Sequence, residues 1–137
     1  MAYFNKIGLL VLSEDGDKFM VCEKNNFTSD FIMPGGQLDE GENDLNCLSR
    51  EIKEELNVNL DLNSLIFINE YNDIASGDLT KDVSIRLYQG KILGIPKPSS
   101  EIINYYWIGK EDIGNKRVSP IIRNKIIPDI VKKNIIK

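Results

Sequence analysis

Glu51, Glu54 and Glu55 are the residues whose type and spacing point most directly to chemistry. Positions three and four apart are neighbours on a helix. A helix through them therefore sets three carboxylates side by side, at a repulsive cost of roughly 0.2–0.5 kcal/mol per pair. Arg50 can pair with Glu54 four positions on, while Lys53 falls elsewhere on the wheel. The face is under-neutralised by its own helix. A divalent cation would relieve the repulsion and use the oxygens as ligands. A solvated acidic face of good helix formers is the plain alternative, and such faces are common.

The chain has 137 residues and no histidine. That excludes a Ser-His-Asp triad, a Cys-His pair, histidine-bound zinc and an imidazole base. Any general base is a carboxylate, lysine, tyrosine or water. Cys22 and Cys47 alone cannot complete a four-ligand zinc site. A metal site must rest on carboxylates, carbonyls and water, which select hard cations such as magnesium or manganese. There is no G-x4-G-K-[ST] phosphate loop and no G-x-G-x-x-G fingerprint. The acidic stretch also misses EF-hand spacing.

The positioning elements follow from periodicity. Residues 43–56 read as a helix, with Leu45, Leu48, Ile52 and Leu56 as a core-facing stripe and the three glutamates on the far side. Pro34-Gly35-Gly36 predicts a tight turn before it, where glycine lets a backbone carbonyl approach a ligand. Asn57 suits a left-handed residue after the last turn. Strands are expected over Lys6–Leu12, Phe19–Cys22, Asp30–Met33, Leu65–Glu70, Val83–Ile92 and Tyr105–Ile108. Asp15-Gly16 is a hairpin signal between the first two. Ser119-Pro120 opens a C-terminal helix, which Pro128 should kink or split near Ile127. The pattern predicts a mixed α/β class rather than a regular βαβ series.

The run GQLDEGENDLNCLSREIKEELNV, residues 36–58, resembles the Nudix box, G-x5-E-x7-R-E-U-x-E-E-x-G-U with U aliphatic. Gly36, Glu42, Arg50, Glu51, Ile52, Glu54, Glu55 and Val58 fit at the required spacing, and Asn57 replaces the box's last glycine. The turn-helix context supports the match. The resemblance implies one Nudix hydrolase domain over 1–137: an α/β/α sandwich with a mixed sheet, the box helix and a C-terminal helix.

The resemblance also implies a reaction. Nudix hydrolases cleave a nucleoside diphosphate linked to a group X, with magnesium or manganese, by water attack on phosphorus. Glu54 and Glu55 are implied as metal ligands, with the Gly36 carbonyl as a backbone ligand. Glu51 is implied as a ligand or as the base. Arg50 is implied to orient the glutamates, and Glu42 to support the preceding loop. The stretch from Gly94 to Ile113 resembles the segment that small MutT-type members carry after their central hairpin. There Glu101, six before Trp107, is implied as a distal metal ligand or base. Lys24 is implied to touch phosphate. Phe27, Phe31 and Tyr71 are candidates for stacking on a base, each set against ordinary packing. Asn115 is the candidate base reader before the last helix.

Substrate marks of other Nudix groups are missing from their places, which leaves the small MutT-type group. The expected substrate is a nucleoside triphosphate, with oxidised guanine nucleotides as an example. A non-catalytic nucleotide sensor and an RNA 5′-end pyrophosphohydrolase are the competing readings.

The net charge of −4 hides a segment at −5 over residues 39–55 and one at +5 over residues 110–137. The basic lysines are spaced along an apolar-rich helical pattern without interleaved aromatics, which disfavours nucleic acid as a partner. Two cysteines are too few for a disulfide framework. The N-terminus lacks signal-peptide features, and no apolar run approaches the roughly 20 residues of a membrane span. The expectation is a cytoplasmic protein with a small nucleotide as partner and a homodimer left open.

Overall fold

The first strand shows how the molecule is layered. In the computed structural model, which describes residues 2–25, 30–75 and 78–137, β1 spans Phe4–Leu10. Alternate side chains point to opposite faces, and here both faces are buried. Ile7 and Leu9 join a core cluster with Met20, Cys22, Cys47, Leu48, Ile52 and Leu56. Leu10 joins a second cluster with Phe19, Val21, Ile121, Ile122, Ile126 and Ile130. One cluster lies under the box helix and the other under the C-terminal helix, so strands are sandwiched between helices.

The remaining elements follow in order. β2 is Phe19–Lys24, β3 Phe31–Ile32, β4 Gly35–Gln37, α1 Asp44–Leu56, β5 Asn59–Ala75, β6 Asp78–Leu93 and β7 Ile102–Ile108. A 3-10 turn covers Lys110–Gly114, and the C-terminal helix ends in α2, Ile127–Lys132. One sheet has the order β4-β1-β6-β5, with β1 and β6 parallel and the other pairs antiparallel. The other sheet has the order β3-β2-β7. This is the α/β/α sandwich with a mixed sheet that the resemblance implies. Among the described residues no helix is long and apolar enough to cross a membrane.

Three local outcomes differ from the sequence reading. β4 is a strand where Gly35-Gly36 reads as turn alone: it pairs with β1, setting Lys6 opposite Gln37 and Ile7 opposite Gly36. Gly35 adopts φ +130°, and a Cβ there would fall 2.0 Å from the Ile7 carbonyl, so only glycine fits. β5 and β6 form a much longer hairpin than Leu65–Glu70 and Val83–Ile92. The Asp15-Gly16 turn forms, closed by Ser13 N–H to Lys18 O at 2.9 Å, but the strands it joins belong to different sheets.

The C-terminal helix divides as Pro128 requires. A π turn over Ile122–Ile126 precedes α2, which carries Pro128 in its first turn. Proline has no N–H for the carbonyl one turn back, and the wider π register absorbs that loss. Tyr71 ties this helix to β5, donating from its hydroxyl to Asp129 Oδ2 at 2.6 Å.

Candidate active site

Both ends of α1 are fixed. Asn43 caps the N-terminus, its side chain accepting from Asn46 N–H at 2.8 Å. Asn57 takes φ 55° and ψ 38° and donates to Lys53 O, the left-handed stop expected of asparagine. The open carbonyls of the last turn are taken by the segment after β6. Lys97 N–H donates to Leu56 O at 2.8 Å, Ser99 N–H to Glu55 O at 2.9 Å, and the Ser99 hydroxyl to Glu54 O. That strap delivers Glu101 to the same end of the molecule. Its carboxylate pairs with Lys24 at 3.3 Å, and its carbonyl accepts from Asn25 N–H at 2.8 Å.

The buried set on α1 is Cys47, Leu48, Ile52, Glu55 and Leu56. Leu45, expected in the core stripe, is 40% exposed because it lies in the first turn, before the helix reaches the core. Glu55, expected on the far side, is only 2% exposed. At about 100° per residue it sits about 20° from Leu48 on the wheel, so it is turned inward with the stripe.

Arg50 organises the acidic face. Its Nε and Nη2 grip Glu42 bidentately at 2.7 and 2.9 Å. Its Nη1 donates to Glu51 at 2.8 Å and reaches Glu54 at 3.5 Å, and Nη2 also donates to Gln37 O at 3.1 Å. Arg50, then the Asp39 N–H, hold the Glu42 carboxyl down at about 2. Glu42 thus buttresses Arg50. Burial raises the Glu51 carboxyl despite Arg50. Burial, reinforced by the charge of Glu51, pushes Glu55 up to about 8, against one hydrogen bond from Gly35 N–H at 2.9 Å. Glu54 stays at the rim, its side chain 51% exposed.

These residues border a cleft of about 270 Å³ lined by Lys6, Lys24, Gly36, Gln37, Glu51 and Glu101. A Cβ on Gly36 would lie 2.4 Å from the Glu51 carboxyl carbon, so glycine makes the cradle for that carboxylate. A second cavity of about 220 Å³ shares Phe4, Lys6, Lys24, Gly35 and Gly36 with the cleft. Its further walls are mainly apolar, among them Ile32, Met33, Val83 and Ile85, with Ser119 the exception. Ser119 is 3% exposed, and its Oγ is the buried side-chain oxygen left without a hydrogen-bond partner among the described residues.

Of the residues singled out from sequence, Gly36, Glu51, Glu101 and Lys24 line one cleft, Glu55 lies beneath Gly35, and Arg50 and Glu54 flank it. Phe31 and Asn115 sit elsewhere. Phe31 is in the core against Tyr106, with the Arg117 guanidinium 4.4 Å from its ring centre. Asn115 holds its own turn, donating to Asp112 at 3.2 Å and accepting from Arg117 N–H at 3.0 Å. Phe27 lies outside the described residues. Sequence reasoning missed Lys6, Ser119 and the clamp of Asp44 by Arg86 and Tyr88. Only Lys6 left a readable trace, as a lysine breaking the alternate row Phe4, Gly8, Leu10.

The donor chemistry fits a hard cation: carboxylates of three glutamates and a peptide carbonyl, with no thiolate or imidazole among them. As placed, no three acidic or thiol side chains among the described residues converge to hold an ion. Glu51 and Glu54 turn toward Arg50, Glu55 toward Gly35 N–H, and the Gly36 carbonyl accepts from the Cys47 thiol at 3.6 Å. Both cysteines are free, and burial pushes their thiols up, Cys47 to about 11. They pack as small apolar groups.

The profile of the NUDIX domain matches residues 3–130. An RNA pyrophosphohydrolase of Pelagibacter ubique is 31% identical over 91 residues, 66% of this chain and 54% of that protein. The mRNA-decapping protein OPG122 of Variola virus is 54% identical over 44 residues, 32% of this chain and 16% of that protein. The match thus spans about half the length of one curated relative and a much smaller part of the other. The crystal structure of a MutT protein from Methanosarcina mazei Go1 superposes with a TM-score of 0.78, covering 97% of this chain and 96% of that one at 22% identity. At that identity the likeness speaks for the fold.

Proposed function

The chain belongs to the Nudix family, and on that premise we propose that it hydrolyses a phosphoanhydride bond in a nucleoside diphosphate linked to X, with a nucleoside triphosphate as the favoured substrate. One observation carries this reading. The carboxylate cleft and the apolar cavity share Phe4, Lys6, Lys24, Gly35 and Gly36, so they form one binding site with a charged end and an apolar end. A nucleotide has the same polarity.

In this reading the apolar walls receive the base, and the Ser119 hydroxyl meets its polar edge. A buried hydroxyl without a partner costs roughly 1–3 kcal/mol, which a bound ligand can relieve. Lys24 and the Gly36 peptide face the phosphate chain. Glu51, Glu54, Glu55 and the Gly36 carbonyl would hold magnesium or manganese, which supplies charge neutralisation for phosphate oxygens and activation of water. Arg50 keeps the glutamates in register from the outer side. Glu51 or Glu101, both in the cleft, takes the proton from the attacking water. Catalysis is then chiefly positioning and charge stabilisation.

The test is a panel of nucleoside triphosphates, oxidised nucleotides and nucleoside diphosphate conjugates, with kcat/KM measured in magnesium. Metal-dependent release of phosphate or pyrophosphate from at least one nucleotide supports the reading. Tight nucleotide binding without turnover would leave a nucleotide sensor instead.

A second reading has a specific observation behind it, because two curated relatives carry names of RNA-end enzymes. Against it, part of the basic C-terminal segment is already engaged. Arg117 pairs with Glu23 at 2.8 Å, Lys133 with Asp129 at 2.8 Å, and Arg123 donates to Val118 O at 2.7 Å. Comparing a 5′-triphosphorylated oligoribonucleotide with the matching nucleoside triphosphate separates the two. An RNA substrate requires affinity that falls steeply with salt.

A further inference from the structure

β1 lies between β4 and β6 in its sheet, so its inward side chains should be apolar. Phe4, Gly8 and Leu10 obey that rule and Lys6, between them in the same row, does not. In register, Lys6 stands across from Gln37 of β4 and Ile85 of β6. It lines both the carboxylate cleft and the apolar cavity, and therefore sits at their junction.

Among the described residues no carboxylate lies within 4.0 Å of its ammonium nitrogen. The Phe4 ring centre lies 5.8 Å from it, and the charges of Lys24, Glu55, Glu101 and Glu51 act on it from a greater distance than an ion pair. Lys24, on the same cleft, is by contrast paired with Glu101 at 3.3 Å. A half-buried ammonium without a close counter-ion is costly, and it carries three donors. Here those donors are held where a charged end gives way to an apolar end.

We propose that Lys6 binds the phosphoryl group attached directly to the organic part of the substrate, and so sets the depth at which a nucleotide enters the cavity. This rests on the nucleotide reading of the site. A group seated in the apolar cavity must pass its first phosphate through the junction, while the outer phosphates continue toward Glu51 and Glu101. Lys6 acts as a substrate-binding residue and takes no part in proton transfer. The site selects a phosphorylated nucleoside over both a bare nucleoside and a bare phosphate, because each of those fills one end only.

The test needs no metal. Binding of AMP, GMP, CMP and UMP, of the matching nucleosides and of inorganic phosphate is measured with chelator present on the full chain. Its variants Lys6→Gln and Lys6→Arg are measured alongside. The expected result is a preference of wild type for at least one monophosphate over its nucleoside by roughly tenfold or more, the scale of a charge-assisted hydrogen bond. Lys6→Gln should reduce the gap to under about threefold and Lys6→Arg should recover most of it. Melting temperature checks folding of both variants.

An unchanged gap in a folded Lys6→Gln protein overturns the proposal. So does wild type binding inorganic phosphate as tightly as the monophosphates, or showing no preference for any of them. A Lys6-dependent gap together with no turnover on the nucleotide panel upholds Lys6 and sinks the hydrolase reading. Where turnover is found, Lys6→Gln should raise KM by more than it lowers kcat, and the reverse split also counts against the proposal.

Discussion

The glutamates of α1 share one helix but meet different surroundings. Glu55 is buried and accepts a hydrogen bond from Gly35 N–H, Glu51 rests in the cradle left by Gly36, and Glu54 stands at the rim. Glu54→Gln and Glu55→Gln are each expected to lower kcat by two or more orders of magnitude, a loss of at least about 2.7 kcal/mol of transition-state stabilisation. The melting temperature of each should be unchanged or higher, since Glu54→Gln removes a crowded charge, and Glu55, whose carboxyl burial pushes up to about 8, gives way to an amide that can still accept from Gly35. Near wild-type kcat in saturating magnesium would remove these residues from the metal set. Gly36→Ala tests the cradle. Its new Cβ must displace the Glu51 carboxylate, so turnover is expected to drop tenfold or more while far-ultraviolet circular dichroism keeps its shape. Full activity in Gly36→Ala would mean that the position of Glu51 is unimportant.

At the scale of elements, α1 owes its placement to contacts that its own sequence does not announce. Arg86 on β6 grips Asp44 bidentately at 3.0 and 2.7 Å, and Tyr88 donates to the same carboxylate at 2.7 Å. These bonds, Arg86 first and Tyr88 after it, hold the Asp44 carboxyl below its ordinary value. A depressed carboxyl stabilises the fold above the ordinary aspartate pKa, and that contribution is lost as pH falls through the lowered value. Asp44→Asn is expected to cost ~1–3 kcal/mol at neutral pH. It should also flatten the loss of Tm on acidification below about pH 4. Parallel acid limbs for wild type and variant would show that the clamp contributes nothing. The helix itself was readable because leucine and isoleucine recur at its period and Asn57 marks its C-terminal end. The β5–β6 hairpin was readable only in part. β5 runs through Asn59, Asp61, Asn69, Asn72 and Asp73, poor strand formers that cross-strand pairing overrides.

For the whole molecule, two cores on either face of β1 lock the box helix and the C-terminal helix to one sheet system. A cation that binds only the folded chain stabilises it by mass action, about 2.7 kcal/mol at 100 times its Kd. Saturating magnesium should therefore raise Tm, and Glu54→Gln should shrink that rise. A Tm indifferent to magnesium and manganese would contradict a resident metal at this site. The charge asymmetry also changes meaning in three dimensions. Glu23, from another strand, neutralises Arg117, and Glu101 is carried to Lys24 by the strap over the end of α1. Of these two pairs only Arg117–Glu23 draws on the basic segment, since Lys24 lies outside residues 110–137.

By itself the sequence determined the family, the box helix with its Asn57 stop, the mixed α/β class and the exclusion of imidazole chemistry in a chain without histidine. Those features are local: a periodic stripe, a turn dipeptide and a fixed spacing are written in consecutive residues. Tertiary structure alone decided that Glu55 turns inward, that Glu101 meets Lys24, that Phe31 and Asn115 serve packing and a turn, and that Ser119 faces a cavity. It also decided that Lys6 stands where two clefts join. Each of these depends on residues far apart in the chain being brought together, so the deciding energy, burial against a particular neighbour, does not exist until the sheets and helices have packed.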